Sequence, residues 1–366
     1  MWSTLRIVEV QVFRFSSPLR DVFTTAFYSS SVKESVIVKL RSDDGVVGFG
    51  ESTPFQYAFG ENADISTYVI ERQLAPKLVG RDPFNLEEIS TVMEKTIPGF
   101  YYAKCAVDFA LYDLIAKSLG LPLHRLIGGK NVEKVPVAWV IGIKEVDRVV
   151  EEAERAKSSG FREVKLKADR RWRRVVDAVK AIKERFGDEL EVRVDANQSW
   201  SVDEAKRAIS RLDRYDVQAV EQPVPAWNIE GLAEVRMSVS TPIMADEAIR
   251  TPSDAIRIVK AEAADILNLK IGPQGGIYRC LKTRAIAEAA GLKCVIGSCL
   301  EGHLGTGAMV HFASATKNLL STDLVGPLLR AERVTVQPLN FAEGFYEVLE
   351  KPGVGVEVDE TRLKGR

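Results

Sequence analysis

Histidine and cysteine are scarce in this 366-residue chain, with three of the first and four of the second. Cys105, Cys280, Cys294 and Cys299 form no CxxC pair and no Cys/His metal spacing. That argues against a zinc centre or a disulfide framework, and for small thiols in a reducing compartment. Long apolar runs are missing too, since no charge-free stretch reaches the length of a membrane span. The opening MWSTLRIVEVQVFRF alternates like a strand and lacks the charged and apolar regions of a signal peptide. A cytoplasmic protein is expected. Charge of one sign is absent as well: 50 Lys and Arg face 51 Asp and Glu, spread along the chain without blocks. This excludes an electrostatic footprint for nucleic acid or a membrane surface. No Gly-rich phosphate fingerprint follows an early strand, and GGK at 128–130 lacks Walker spacing. What remains is a globular composition, 46% hydrophobic and 28% charged, and a small-molecule substrate.

The chain changes grammar twice. Residues 5–15 and 35–50 read as strands, the second turning at Asp43-Asp44-Gly45. The polar stretch 16–30 between them reads as a long loop, and a second loop follows Glu51. From about Ile65 to Gly120 apolar residues recur at i, i+3, i+4 and i+7, as in helices. Together these make an α+β module with two aromatic-bearing loops. From Val135 eight apolar runs recur roughly every 23 to 29 residues, with amphipathic stretches between them. Repeated βα units of that number predict a TIM-type (β/α)7β barrel. After Gly326 the segments VTVQP and FYEVLEKPGVGVEVD read as strands that return to the N-terminal module. The expected division is a capping domain over 1–130, a barrel over 131–326 and a returning segment over 327–366.

Five barrel runs end in charge: VKLK at Lys167, VRVDAN at Asp195, AVEQP at Glu221, IMADE at Asp246 and ILNLK at Lys270. Active sites of parallel barrels lie at the C-terminal strand ends. Asp195, Glu221 and Asp246 come from the third, fourth and fifth strands, so their carboxylates converge over one sector of the mouth. An all-oxygen set favours Mg²⁺ over Zn²⁺, with Mn²⁺ as a substitute. Without a cation the three carboxylates would repel one another. Lys165 and Lys167 share a strand face, and Lys270 arrives from across the barrel. Two opposed lysines can each move a proton on one face of a substrate, provided their pKa values are depressed towards the working pH. A metal offsets the charge of an enolate. The reaction class is proton abstraction alpha to a carboxylate, or its reverse.

In order and spacing, VKLK, VDAN, EQP, ADE and NLKIGPQGG resemble the enolase superfamily, in its muconate-lactonizing-enzyme subgroup. The resemblance covers essentially the whole chain. It implies Asp195, Glu221 and Asp246 as Mg²⁺ ligands, Lys167 and Lys270 as the acid/base pair, Lys165 as the residue tuning Lys167, and Asn197 as a polar support. A mandelate-racemase-like chain would carry a carboxylate on the sixth strand and a histidine after the seventh; here those places hold Lys270 and Gly297-Ser298-Cys299. Of the histidines only His303 falls near the mouth.

The subgroup includes muconate cycloisomerases, dipeptide epimerases, N-acylamino acid racemases and o-succinylbenzoate synthases, which share catalytic parts and differ in capping loops and last strands. Dipeptide epimerases carry an Asp-x-Asp pair on the eighth strand to grip an ammonium; this chain has only Asp323. CLEGHLGTGAMVHFASA and TDLVGPLLRAERV look more like the muconate and chloromuconate cycloisomerases, so a muconate-type cycloisomerase is the first expectation and a racemase or epimerase the second. Ser298, Glu301 and Asp323 are expected to touch substrate, with Glu301 also readable as a carboxylate at the next helix N-terminus. Phe27 and Tyr57, from the two loops, are expected to enclose its apolar part. Analogy with such barrels implies a homo-oligomer.

Overall fold

The computed structural model describes residues 5–363. The outer ends of the expected capping and returning segments, 1–4 and 364–366, lie outside the described residues. Three antiparallel strands, β1 (Ile7–Thr24), β2 (Ser29–Ser42) and β3 (Val47–Ser52), form the capping sheet in that order. Strand parity decides what each face covers. Val36, Val38 and Leu40 pack with Ile70, Leu74 and Leu111 in a cluster of the cap's own, whereas Ile37 and Phe49 join the barrel's core. The helix Tyr101–Ser118 is buried almost all round and lies directly on β3. Gly48 and Gly50 permit that approach, since a Cβ on either would meet the helix backbone, at 2.3 Å from Ala110 O and 2.1 Å from Ala106 O.

After a short strand β4 (Lys134–Pro136), eight parallel strands follow: β5 (Trp139–Ile141), β6 (Glu163–Lys167), β7 (Glu191–Asp195), β8 (Ala219–Glu221), β9 (Ile243–Ala245), β10 (Ile266–Asn268), β11 (Lys293–Ile296) and β12 (Leu319–Thr322). The circle closes just before β5, where Ala138 N donates to Thr322 O (2.8 Å) and Thr322 Oγ1 to Pro136 O (2.6 Å). Seven helices connect the strands, giving the (β/α)7β barrel that the repeat predicts. Their starts are written locally. Ser201 with Glu204, and Thr251 with Asp254, form capping boxes that satisfy the first backbone N–H groups. Among the described residues no helix is long and apolar enough to cross a membrane.

The tail returns to both parts. β13 (Phe341–Ala342) and β14 (Phe345–Glu347) pair, and β14 pairs with β4. Asp113, buried in the cap helix, accepts from Val354 N and Phe49 N at 2.8 Å each, tying tail to cap sheet.

Two expectations fail. The stretch 16–30 is mostly strand: β1 and β2 run on as a ribbon, leaving only residues 25–28 as its tip. Its alternation is masked because both ribbon faces are partly exposed, and a register shift between Pro18 and Phe23 absorbs the proline. VTVQP is not a strand, making only the isolated bridge Thr335–Val358, and the arm expected after the Pro352-Gly353 turn is not one either, since strand in FYEVLEKPGVGVEVD covers only Phe345–Glu347.

Candidate active site

Register alone aligns the first row of the site. Lys167, Asp195 and Glu221 are direct neighbours across β6, β7 and β8, and Asp246 follows the end of β9. In a parallel barrel the residue at the C-terminal end of each strand is the one delivered to the mouth, while Lys165 and Arg193 lie one layer deeper. One oxygen from each of Asp195, Glu221 and Asp246 lies within 4.8 Å of the others, and all three side chains are buried. Each carboxylate also meets a lysine. Lys167 Nζ donates to Asp195 Oδ2 at 2.6 Å and to Asn197 Oδ1 at 3.1 Å. Lys165 Nζ stands 2.6 Å from Glu221 Oε2. Lys270 Nζ pairs with Asp246.

These groups form an unfinished electrostatic balance. Burial and the adjacent Asp195 charge push Glu221 up to about 8. Burial raises Asp195 too, but Lys165, Lys167 and Lys270 outweigh it and hold its carboxyl well below the usual range. Burial also raises Asp246, with Lys270 opposing it. The donor set is all carboxylate oxygen, dry and convergent, and Glu221 carries a repulsion that a cation among the three would relieve. It fits a hard divalent ion. Lys270 departs from the expected depression. Burial lowers its pKa, yet Asp246, Glu247 and Glu221 together raise it well above the ordinary value.

A cleft opens over this row, between barrel mouth and cap. Lys165, Lys167, Asn197, Lys270, Ser298, Asp323 and Phe27 all line it. Two expected residues do not. Tyr57 is 58% exposed and stacks on the outer side of the aromatic wall, 5.3 Å from the Tyr28 ring. Glu301 turns back on its own loop, accepting from Ser298 Oγ (2.6 Å), Cys299 N (2.9 Å) and Thr53 Oγ1 (3.2 Å). Nor does it serve the next helix. Glu51, from β3, accepts there from Gly302 N and Gly305 N at 2.9 and 2.8 Å. Asp323 lines the cleft but is engaged on both oxygens, by Lys165 Nζ (2.7 Å) and Arg193 Nη2 (2.7 Å). Lys165 therefore bridges Glu221, Asp195 and Asp323, and burial fails to offset the rise in its pKa those three cause. His303 lies outside the cleft lining; its Nδ1 accepts from Leu339 N at 3.1 Å, and burial lowers its pKa to about 4.

Several residues escaped the sequence reading. Glu247, next to Asp246, lines the cleft and accepts from Asn197 Nδ2 at 3.0 Å. Asn268 Nδ2 donates to Glu221 Oε1 at 2.9 Å, and Gln222 Oε1 accepts from Asp246 N at 3.0 Å. Both hold ligand-row carboxylates or their loops. Their signal was adjacency: each sits one or two residues from a charged strand end. Arg193 gave none, since its partners Glu163 and Asp323 are far away in sequence. Asn197, Gln198, Gln222 and Leu300 adopt positive φ angles of 36–67°, clustering backbone strain around the mouth.

A buried carboxylate triad with lysines on opposed strands, at the mouth of a capped (β/α)7β barrel, defines an enolase-type isomerase. Comparison with known proteins agrees. Residues 7–128 match the family described as mandelate racemase / muconate lactonizing enzyme, N-terminal domain, and residues 148–362 match the enolase C-terminal domain-like family. The chain belongs to the enolase superfamily, in its muconate-lactonizing-enzyme subgroup, and is an isomerase. It is similar to the N-succinyl-L-Arg/Lys racemase of Bacillus cereus, 33% identical over 98% of this chain and 97% of that protein, whose crystal structure superposes with a TM-score of 0.95. It is also similar to the L-Ala-D/L-Glu epimerase of Bacillus subtilis, 32% identical over 99% of both chains. A substrate-liganded structure of that epimerase superposes at 0.92, covering 96% of this chain and 98% of that one. The muconate cycloisomerase 1 of Rhodococcus opacus is 34% identical over 98% of each.

Proposed function

We propose that this isomerase moves a proton at the carbon alpha to a carboxylate, with Lys167 and Lys270 as two bases on opposite faces, and that it racemises an N-acylated amino acid. The observation that carries this is that both lysine side chains line one cleft, each beside a carboxylate of the triad. Asp195, Glu221 and Asp246 would hold Mg²⁺, which supplies positive charge against the enolate's developing negative charge. Lys167 or Lys270 takes the proton from the alpha carbon and its counterpart returns one to the other face. Asn197 and Asp195 orient Lys167 Nζ, and Asp246 orients that of Lys270. The aromatic wall of Phe27, Phe55 and Phe59 keeps water from the enolate. A free substrate ammonium has no acid to meet at the eighth strand. Asp323 is occupied, and Val325 stands in the cleft two residues on. That weighs against dipeptides and for an N-acyl group that carries no ammonium.

The second reading is the muconate-type cycloisomerase, favoured by the CLEGHLGTG and TDLVGPLL segments. One experiment separates the two. With Mg²⁺ in D₂O, a racemase interconverts the enantiomers of N-succinyl amino acids and incorporates deuterium at the alpha carbon. A cycloisomerase instead consumes the diene absorbance of cis,cis-muconate and leaves the amino acids untouched. The relatives' oligomeric behaviour aside, we propose a homo-oligomer; light scattering of the pure protein tests it.

A further inference from the structure

One cation in the cleft belongs to none of the groups above. Lys33 sits near the start of β2, where strand parity points Lys33, Ser35 and Ile37 towards the barrel. Its side chain lines the same cleft as Lys167 and Lys270, yet it is only 6% exposed. Among the described residues no carboxylate lies within ion-pair distance of Lys33 Nζ and it donates no side-chain hydrogen bond. Its close contact is the face of Phe55, 5.3 Å from the ring centroid, while Glu301 and Glu34 act on it from beyond ion-pair distance. The acids of that neighbourhood are already used. Glu51 binds the helix start after β11 together with Ser35 Oγ, and Glu301 binds the Ser298–Cys299 backbone. A second cation, Arg330, lies on the same side; its Nε is held by Leu300 O and its Nη1 by Ser35 Oγ with Glu51 3.7 Å away, while its Nη2 has no hydrogen-bond partner among the described residues.

A buried ammonium is costly to keep without an anion, and a single aromatic face offsets only part of that cost. Methionine or leucine would fill the same space in an otherwise aromatic wall without it. The arrangement therefore has the form of a half-made ion pair whose other half arrives with the ligand. We infer that Lys33 is a specificity-determining residue that binds a second carboxylate on the substrate, the end remote from the reacting carbon. The substrate class is a dicarboxylate, such as an amino acid acylated by a dicarboxylic acid. This rests on the reading that the cleft takes an acyl carboxylate substrate. Burial lowers the Lys33 pKa in the free protein, with Cys299, Glu301 and Glu34 opposing it, so an anion delivered by the ligand would favour the charged form.

The test compares N-succinylglycine with N-butanoylglycine, which differ in the terminal carboxylate and do not racemise. Affinities are measured calorimetrically on the full chain with Mg²⁺. The wild type is expected to favour the succinyl ligand on the order of 10- to 100-fold, the value of a charge-assisted hydrogen bond in a dry site. In Lys33→Met the ratio falls to about one, while Lys33→Arg keeps most of it, which a merely structural lysine would not do. A wild type that binds both ligands equally, or a Lys33→Met variant that keeps the preference, overturns the inference. If Lys33→Met does not fold, Lys33→Gln carries the same comparison. Exchange of the alpha proton of N-succinylalanine in D₂O is read separately; its absence overturns the reaction proposed above and leaves the affinity ratio to decide the subsite.

Discussion

Asp323 Oδ2 accepts from Lys165 Nζ at 2.7 Å, across a barrel interior in which both residues are buried. The other oxygen of Asp323 is held by Arg193, and Lys165 reaches on to Glu221 and Asp195. An acid on the last strand thus anchors the layer of cations beneath the carboxylate row. In this chain it is a structural strut, and its position beside the cleft does not free it for a ligand.

Asp323→Asn removes the acid that Lys165 and Arg193 share, leaving Lys165 to Glu221 and Asp195 and Arg193 to Glu163. Breaking a buried pair in this way costs about 3–5 kcal/mol. Denaturant titration is expected to show a loss of that size. A loss below about 1 kcal/mol would mean that water or the remaining acids compensate the cations.

Glu221→Gln tests the cation site without turnover. Ligand binding to the native state alone stabilises by about 2.7 kcal/mol at a hundredfold excess over Kd. Thermal unfolding of the wild type is expected to move upward with Mg²⁺ and return on chelation. In Glu221→Gln the Mg²⁺ shift disappears, because one of three ligand oxygens has lost its charge.

Gly297 directly follows β11 at the mouth, against Asn268 and Lys270. A Cβ there would fall 2.3 Å from Asn268 Oδ1 and 2.8 Å from Lys270 Cγ. Gly297→Ala must displace the side chain that steadies Glu221, the base just after β10, or both. Steady-state kinetics are expected to show turnover reduced roughly 100-fold, the effect of a misplacement of about 1 Å, in a protein that still folds.

The chemistry was legible because Lys167, Asp195, Glu221, Asp246 and Lys270 each stand at or just beyond the C-terminal end of a repeated strand, where a parallel barrel places its site. The barrel followed from the same periodicity. The ribbon of β1 and β2 was not legible, since Ser17, Ser29 and Ser30 carry none of the alternation of a one-sided strand. Asp323 and Glu301 were legible as positions and not as roles. Both lie beside the mouth in sequence, but their partners Arg193, Lys165 and Thr53 are brought in by tertiary packing. Lys33 was invisible for a similar reason: only the pairing of β2 with β1 and β3 turns that lysine inward.

Acid destabilisation has a stated window. His311 is buried against His124, with the two Nδ1 atoms 3.1 Å apart, and burial lowers its pKa to about 4 from 6.5. The unfolded chain therefore binds the proton more readily than the native state between those values. The contribution of neutral His311 is fully present above pH 6.5 and is lost as pH falls towards 4, by no more than about 1.4 kcal/mol per pH unit. Melting temperatures from pH 8 to 5 are expected to fall more steeply for the wild type than for His311→Gln. Parallel curves would exclude His311 as a source.

The two-base account is tested most directly by the separate enantiomers of an N-succinyl amino acid, incubated with Mg²⁺ in D₂O. The wild type should exchange the alpha proton of both enantiomers and interconvert them. Lys167→Ala and Lys270→Ala should each abolish racemisation, and each should spare exchange of one enantiomer, a different one for each variant. If Lys270→Ala racemises normally while Lys167→Ala is inactive, a single base does the chemistry and the account is wrong.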